Sequence, residues 1–247
     1  MAGPWAVVTG ISGGLGAAAG AALRSAGYRV MGLDRVPPVA EACDRFIDCD
    51  LALVGSHEDA GSDLLDRIRQ ETAGEPLSLL VNNAAVQRLA PTAELSWSDW
   101  MSTLHVNVSA PFVLARGLLP ELSAAGGVIV NIGSVHARST KPGFAAYATS
   151  KAALHGMTQA LAVDVGPEIR VVTLAPAAID TPMLMAGFEG KPDAFAQLED
   201  VHPAKRIGRP EEVGQAIVWL ASSQAGFMTG SVLWLDGGVL SRLHDPD

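Results

Sequence analysis

Six short apolar runs recur along the 247-residue chain: "WAVVT", "YRVMGL", "LSLLVN", "GVIVNI", "IRVVTLA" and "SVLWLD". Runs this apolar suit strands buried on both faces, and the alanine- and leucine-rich segments between them are long enough for helices. The pattern predicts an α/β fold, a doubly wound parallel sheet with helices on both faces. Helices are expected near Gly14 to Ala26, Ser56 to Thr72, Ser96 to Ser123, Ala145 to Val165 and Pro210 to Leu220. The last opens with Pro210, Glu211 and Glu212, as a first helical turn prefers. Pro37 and Pro38 cramp the crossover between Asp34 and Asp50, so the second helix is expected to be short or missing. Prolines and glycines scattered from Ile179 to Pro203 predict an irregular, mobile excursion able to serve as a lid.

A length of 247 residues with 49% hydrophobic content supports one sizeable core and a single domain. The formal net charge of -9 provides no basic field for a nucleic-acid backbone or an anionic membrane surface. Nothing at the start resembles a leader, and no run of eighteen apolar residues occurs, so a soluble, cytoplasmic protein is expected. Cys43 and Cys49 match neither a redox pair nor a zinc knuckle and are expected as free thiols. The six histidines show no metal-binding spacing, and no catalytic metal is expected.

Directly after the first run comes "TGISGGLG", Thr9 to Gly16, followed by the alanine-rich "AAAGAALRSAG". A strand, a glycine turn and a helix start gather backbone N–H groups and the positive end of a helix where a pyrophosphate can approach closely. Asp34 closes the second run about twenty residues later, where a carboxylate can accept hydrogen bonds from the adenosine ribose hydroxyls. The same charge repels a 2′-phosphate and so favours NAD, while the adjacent Arg35 keeps NADP possible. In "YATSK", Tyr147 and Lys151 lie four residues apart, which on a helix places phenol and ammonium on one face.

These segments resemble the short-chain dehydrogenase/reductase family over nearly the whole chain. "TGISGGLG" is similar to the family's TGxxxGxG, "NNAA" at Asn82 to Ala85 to NNAG, and "YATSK" to YxxxK. "HVN" places Asn107, "IGSV" places Ser134, and "LAPAAIDTPM" resembles the segment after the sixth strand. Ser134 precedes Tyr147 by thirteen residues, a usual family interval. The resemblance implies a single-domain Rossmann fold with a mostly seven-stranded sheet, and an enzyme interconverting a secondary alcohol and a ketone by hydride transfer.

In that reading Tyr147 is the general acid/base, Ser134 binds the substrate oxygen, Lys151 lowers the tyrosine pKa, and Asn107 holds a water. Bringing a phenol from ~10 to ~7 requires roughly 4 kcal/mol of preferential stabilisation of the phenolate. For the cofactor the resemblance implies Gly10, Ser12, Gly14, Leu15 and Gly16 at the pyrophosphate and Asp34 with Arg35 at the ribose. It implies Asp50 and Leu51 at the adenine, and Asn83 and Ala84 along the cofactor. Tyr147 and Lys151 also touch it, with Pro176, Ile179 and Thr181 near the nicotinamide carboxamide. Ala177 departs from the family, which often has glycine there.

His136, two residues past Ser134, is the first candidate for a substrate contact, followed by Gln87, Arg88 and Phe144. The substrate is expected to be a small alcohol or ketone. The resemblance implies a homotetramer, with a dimer as the alternative; Trp219 and Trp234 are expected in the core or an interface. Nucleotide-sugar epimerases and dehydratases share the Rossmann turn and YxxxK, but they resemble longer chains with a TGxxGxxG turn. A cofactor-binding sensor without catalysis remains a third reading, although tyrosine, lysine and serine are all present.

Overall fold

A computed structural model describes residues 3–39 and 41–243. Seven parallel strands form one sheet: β1 (Trp5–Thr9), β2 (Arg29–Asp34), β3 (Arg45–Asp48), β4 (Leu77–Asn82), β5 (Val128–Ile132), β6 (Arg170–Pro176) and β7 (Val232–Leu235). Their order across the sheet is β3-β2-β1-β4-β5-β6-β7, which reverses direction between β1 and β4. Six of these strands were expected. The missed one, β3, reads "RFID": four residues, charged at both ends and on the sheet edge, with too little apolar content to stand out.

Apart from the edge strand β3, the strand interiors are apolar because successive side chains enter two cores. Trp5 and Val7 join Met31, Leu80 and Ile129 on one face, against Leu64 and Ile68 of α3 (Glu58–Thr72) and Leu161 of α7 (Ala145–Val165). Ala6 and Val8 join Val30, Val81 and Val172 on the other, against Leu23 of α1 (Gly14–Ser25) and Ile217 of α10 (Pro210–Ala221). Small residues let α1 and α10 pack together. Trp219, expected in the core or an interface, is 38% exposed.

No helix occurs among the described residues between β2 and β3, in line with the proline-cramped crossover. Beyond β3 come the single turn α2 (Leu51–Val54) and then α3. The continuous helix expected over 96–123 is instead divided into α4 (Trp97–Leu104), a π-helical turn (His105–Ser109), α5 (Ala110–Gly117) and α6 (Leu119–Ala124). Pro120 lies in the first turn of α6, where its missing N–H costs no internal bond, whereas Pro111 follows the π turn directly and its missing N–H interrupts the ladder there. The π turn lies against α2, where a Cβ on Gly55 would fall 2.1 Å from the carbonyl oxygen of His105.

The excursion over 179–203 is also more regular than expected. It contains two helices, α8 (Pro182–Gly187) and α9 (Pro192–Val201), both opening with proline. The Thr181 hydroxyl accepts from the Leu184 N–H at 3.3 Å and caps α8. Prolines that read as breakers thus act as helix starts.

The first turn of α1 rests directly on the loop that precedes it. A Cβ on Gly16 would lie 2.0 Å from the Gly10 carbonyl oxygen, a backbone atom that cannot move aside. Gly16→Ala is therefore expected to destabilise the chain by about 1–3 kcal/mol, measured by urea unfolding. An unchanged midpoint would show that the turn relaxes without cost.

Candidate active site

A cavity of about 1290 Å³ opens at the carboxyl ends of the strands, across the β1/β4 reversal. It exceeds the ~300–1,000 Å³ of a usual small-molecule pocket. That volume suits a dinucleotide with a second molecule beside it.

One half is backbone-lined. Gly10 turns at φ +69°, and a Cβ there would meet the Ala84 Cα at 2.8 Å. The start of α1 has neither a capping side chain nor an acidic residue, so the positive end of the helix faces the cavity at Gly14, Leu15 and Gly16. Asp34 is held by two N–H donors, Ser12 at 3.0 Å and Arg35 at 2.7 Å. The Ser12 hydroxyl donates to the Val36 carbonyl. Asp50 and Leu51 line the far wall, where the Asp50 carboxylate also caps α2 by accepting from the Ala52 N–H at 2.8 Å. Burial pushes the neighbouring Cys49 thiol up to about 12. It is therefore a packed, protonated side chain at neutral pH.

Asn83 and Ala84 sit where β1 and β4 diverge. The Asn83 amide donates to the carbonyls of Thr9 at 2.8 Å and Gly10 at 3.2 Å. The Thr9 hydroxyl accepts from the N–H groups of Asn83 and Ala84, both at 2.9 Å. The polar side of Asn83 is thus committed to bracing the loop. Pro176, Ile179 and Thr181 line the wall after β6. Ala177 next to them has no left-handed backbone, and its N–H donates to the Leu235 carbonyl at 3.1 Å, so nothing there requires glycine.

Ser134, Tyr147 and Lys151 line the same cavity. Ser134 follows β5, and its hydroxyl accepts from the His136 N–H at 3.2 Å, which orients it. Tyr147 and Lys151 occupy one face of α7, with the lysine Nζ 5.7 Å from the phenol ring centre. Burial raises the Tyr147 pKa above its ordinary value, and the neighbouring Ser134 hydroxyl acts the other way. Lys151 is only 2% exposed; burial lowers its pKa to about 8, while Nζ donates to the Ile132 carbonyl at 2.7 Å.

Asn107 lies in the π turn and does not line the cavity. Its oxygen accepts from the Val86 N–H at 2.9 Å; its nitrogen donates to the Val86 carbonyl and the Ser150 hydroxyl, both at 3.0 Å. Ser150 in turn donates to the Tyr147 carbonyl at 2.7 Å. The Asn107 side chain therefore ties the first turns of α7 to the segment after β4.

The remaining part of the cavity is lined by His136, Phe144, Gln87 and Arg88, and by residues the sequence did not mark. His136 stacks on Phe144 with ring centres 4.3 Å apart, and its Nδ1 lies 2.9 Å from the Thr140 hydroxyl. Burial and Lys141 lower its pKa to about 4, so the ring is neutral at physiological pH. Arg88 pairs with Asp99 at 3.6 Å. The unmarked residues include Thr140, Lys141, Leu184, Phe188 and His202. Thr9 was also missed, although a threonine ending an apolar run was a usable signal.

A buried lysine works against folding. Its folded pKa of about 8 lies below the ordinary 10.5, so the penalty is complete below about pH 8 and fades as pH rises toward 10.5. Lys151→Met removes ~3 kcal/mol of that penalty and loses ~1 kcal/mol of hydrogen bond. It is expected to raise the Tm of the ligand-free protein at pH 7 by about 4–8 °C in calorimetry. A lower Tm would mean that the Ile132 contact outweighs the burial of charge.

Residues 10–240 match a family model described as Enoyl-(Acyl carrier protein) reductase. Protein FixR of Bradyrhizobium diazoefficiens is 38% identical over 94% of this chain and 85% of its own length. D-threitol dehydrogenase of Mycolicibacterium smegmatis is 34% identical over 94% of this chain and 91% of its own. The solved structure of Thermoplasma acidophilum aldohexose dehydrogenase superposes with a TM-score of 0.92 at 30% identity, covering 99% of this chain and 97% of that one. With the glycine turn, the seven-stranded sheet and the Ser134, Tyr147 and Lys151 cluster, these likenesses show that the chain belongs to the short-chain dehydrogenase/reductase family, oxidoreductases that interconvert alcohols and ketones with a nicotinamide dinucleotide.

Proposed function

We propose that this chain is an NAD-dependent dehydrogenase of polyhydroxylated secondary alcohols. The observation that carries the reading is the meeting of Ser134, Tyr147 and Lys151 in the cavity that also contains the glycine turn. When bound, the nicotinamide supplies the hydride acceptor. The chain's own residues handle the oxygen and its proton.

During oxidation the Ser134 hydroxyl holds the substrate oxygen while Tyr147 removes its proton, and in reduction the phenol returns it. Lys151 is the nearby cation that favours the phenolate, opposing the burial that raises the tyrosine pKa. The model description names an enoyl reductase, but a serine and a tyrosine side by side suit a substrate reacting at oxygen. Gly14, Leu15 and Gly16 fit the pyrophosphate through free N–H groups at the start of α1, while Gly10, whose N–H donates to the Leu33 carbonyl at 2.8 Å, contributes the absence of side-chain bulk. Asp34, fixed by two backbone donors, would accept from both ribose hydroxyls and repel a 2′-phosphate, which supports NAD. Arg35 is exposed beside it and is the route by which NADP would bind.

The substrate class rests on two relatives named for threitol and aldohexoses, and on the polar wall of Gln87, His136 and Thr140. The segment 179–203 acts as its lid in this reading. A homotetramer is supported by the small, exposed outer face of α7, Ala152, Ala153, Gly156 and Ala160, on which a second copy's helix can lie close. A cytoplasmic location accords with the free thiols Cys43 and Cys49.

The test is absorbance at the reduced-nicotinamide band with NAD or NADP and a panel of polyols and simple secondary alcohols. Tyr147→Phe is expected to keep NAD affinity and lose at least a hundredfold in turnover. Near-normal turnover would remove Tyr147 from the mechanism. Asp34→Ser is expected to shift preference toward NADP by about tenfold or more, and an unchanged ratio would assign the selection elsewhere. Because burial raises the tyrosine pKa, oxidation, which needs phenolate, should rise with pH from 6 to 9, while ketone reduction should fall. Parallel profiles in the two directions would separate Tyr147 from the proton transfer.

A further inference from the structure

One buried imidazole in the cavity wall has no part in the chemistry above. His202 follows α9, lines the cavity and is 3% exposed. Its Nδ1 lies 2.7 Å from the Leu198 carbonyl oxygen. A carbonyl only accepts, so Nδ1 carries the hydrogen, and in the neutral ring Nε2 is left as a lone-pair acceptor. Among the described residues no donor reaches this Nε2. Unlike the fully enclosed Nε2 of His155, it is not sealed within protein.

The ring is also fixed from behind. The Ala204 N–H donates to the Gly237 carbonyl at 3.0 Å, and the Lys205 N–H to the His202 carbonyl at 2.8 Å. A Cβ on Gly237 would lie 3.4 Å from the imidazole Cδ2, so the glycine two residues after β7 passes within a methyl group of the ring. Leu198, Val201 and Val239 line the same stretch of wall and limit competition from water. An acceptor held rigidly in an apolar setting discriminates strongly, because a ligand without the matching donor leaves it unpaired.

The sheet order decides what His202 can reach. It is tied to the carboxyl end of β7, whereas Asp34 ends β2, five strands away. At ~4.8 Å per strand the separation is roughly 24 Å, which puts His202 well away from the adenosine end. It lies at the end of the cavity lined by Leu198 and Val201, beyond β5 and Ser134 in the strand order.

We propose that Nε2 of His202 is a specificity-determining acceptor for a second hydroxyl of the substrate, one that is not oxidised. The substrate is then a diol or higher polyol. This inference rests on the alcohol dehydrogenase reading and adds to it a residue for which the sequence offered no role.

The experiment compares the full chain with His202→Phe and His202→Asn in NAD-linked oxidation of D-threitol and of 2-butanol, which has no second hydroxyl. Asparagine keeps a donor for the Leu198 carbonyl but is too short to present an acceptor to the cavity. Both variants should lose about tenfold or more in kcat/KM for threitol, mainly through KM, with 2-butanol kinetics and NAD affinity within twofold of the parent. If one variant fails to fold, the other carries the same comparison. Equal losses on both alcohols would mean that His202 only ends α9, and a weakened NAD affinity would assign it to the cofactor; either overturns the inference. A parent that oxidises 2-butanol but not threitol overturns the polyol reading and this inference with it. A parent that oxidises no alcohol in the panel overturns the dehydrogenase reading first.

Discussion

The Thr9 hydroxyl sits at the point on which the site depends. β1 and β4 are neighbours, yet the chain leaves them in opposite directions, so their carboxyl ends must diverge to open a cavity. Divergence strips N–H groups of strand partners. Thr9 supplies the missing acceptor to Asn83 and Ala84, while the Asn83 amide returns hydrogen bonds to the carbonyls of Thr9 and Gly10. The glycine turn, the start of α1 and the β4 loop are thereby fixed relative to one another, and α1 presents its positive end to a cavity of set width.

A second buried network fixes the chemistry. Asn82 donates to Asn131 at 2.8 Å, Asn131 to Thr158 at 2.8 Å, and Thr158 lies 2.7 Å from the Thr173 hydroxyl, so β4, β5, α7 and β6 are joined through side chains. Asn107 and Ser150 hold the other end of α7. Paired polar groups in a low-dielectric interior specify one arrangement, because any slip leaves several of them unsatisfied. That rigidity is needed: Tyr147 and Lys151 are both held where burial opposes their charged forms. A looser helix would let the ammonium escape to water and lose its effect on the phenol.

Much of this was legible in the sequence because it depends on local chemistry. An apolar run marks a strand buried on both faces, a glycine cluster marks a close approach, and a tyrosine four residues before a lysine marks one helical face. The illegible parts depend on tertiary context. β3 pairs with β2 despite its charged ends because an edge strand needs burial on fewer sides. Pro182 and Pro192 read as breakers, and only the cap at Thr181 and the position of α9 show them starting helices. Asn107 was marked by a motif, but its bonding to Val86 and Ser150 depends on the π turn, which no local pattern announces. His202 carries no local signal, since its environment is assembled from α9 and the glycine two residues after β7.

The two halves of the cavity are held by interactions of different kinds. The side of Ser134, Tyr147 and Lys151 rests on enclosed hydrogen bonds, where losing one partner leaves a buried polar group unpaired. The lid side rests largely on the surface: Lys205 pairs with Asp200, and Arg242 donates to the Asp200 carbonyl at 2.9 Å, between exposed side chains. Such exposed pairs are screened by water and contribute little. Exposed residues of α8 and α9 can therefore change without disturbing the buried network that holds Ser134, Tyr147 and Lys151. The buried network admits one geometry, while the exposed residues of the two helices tolerate change.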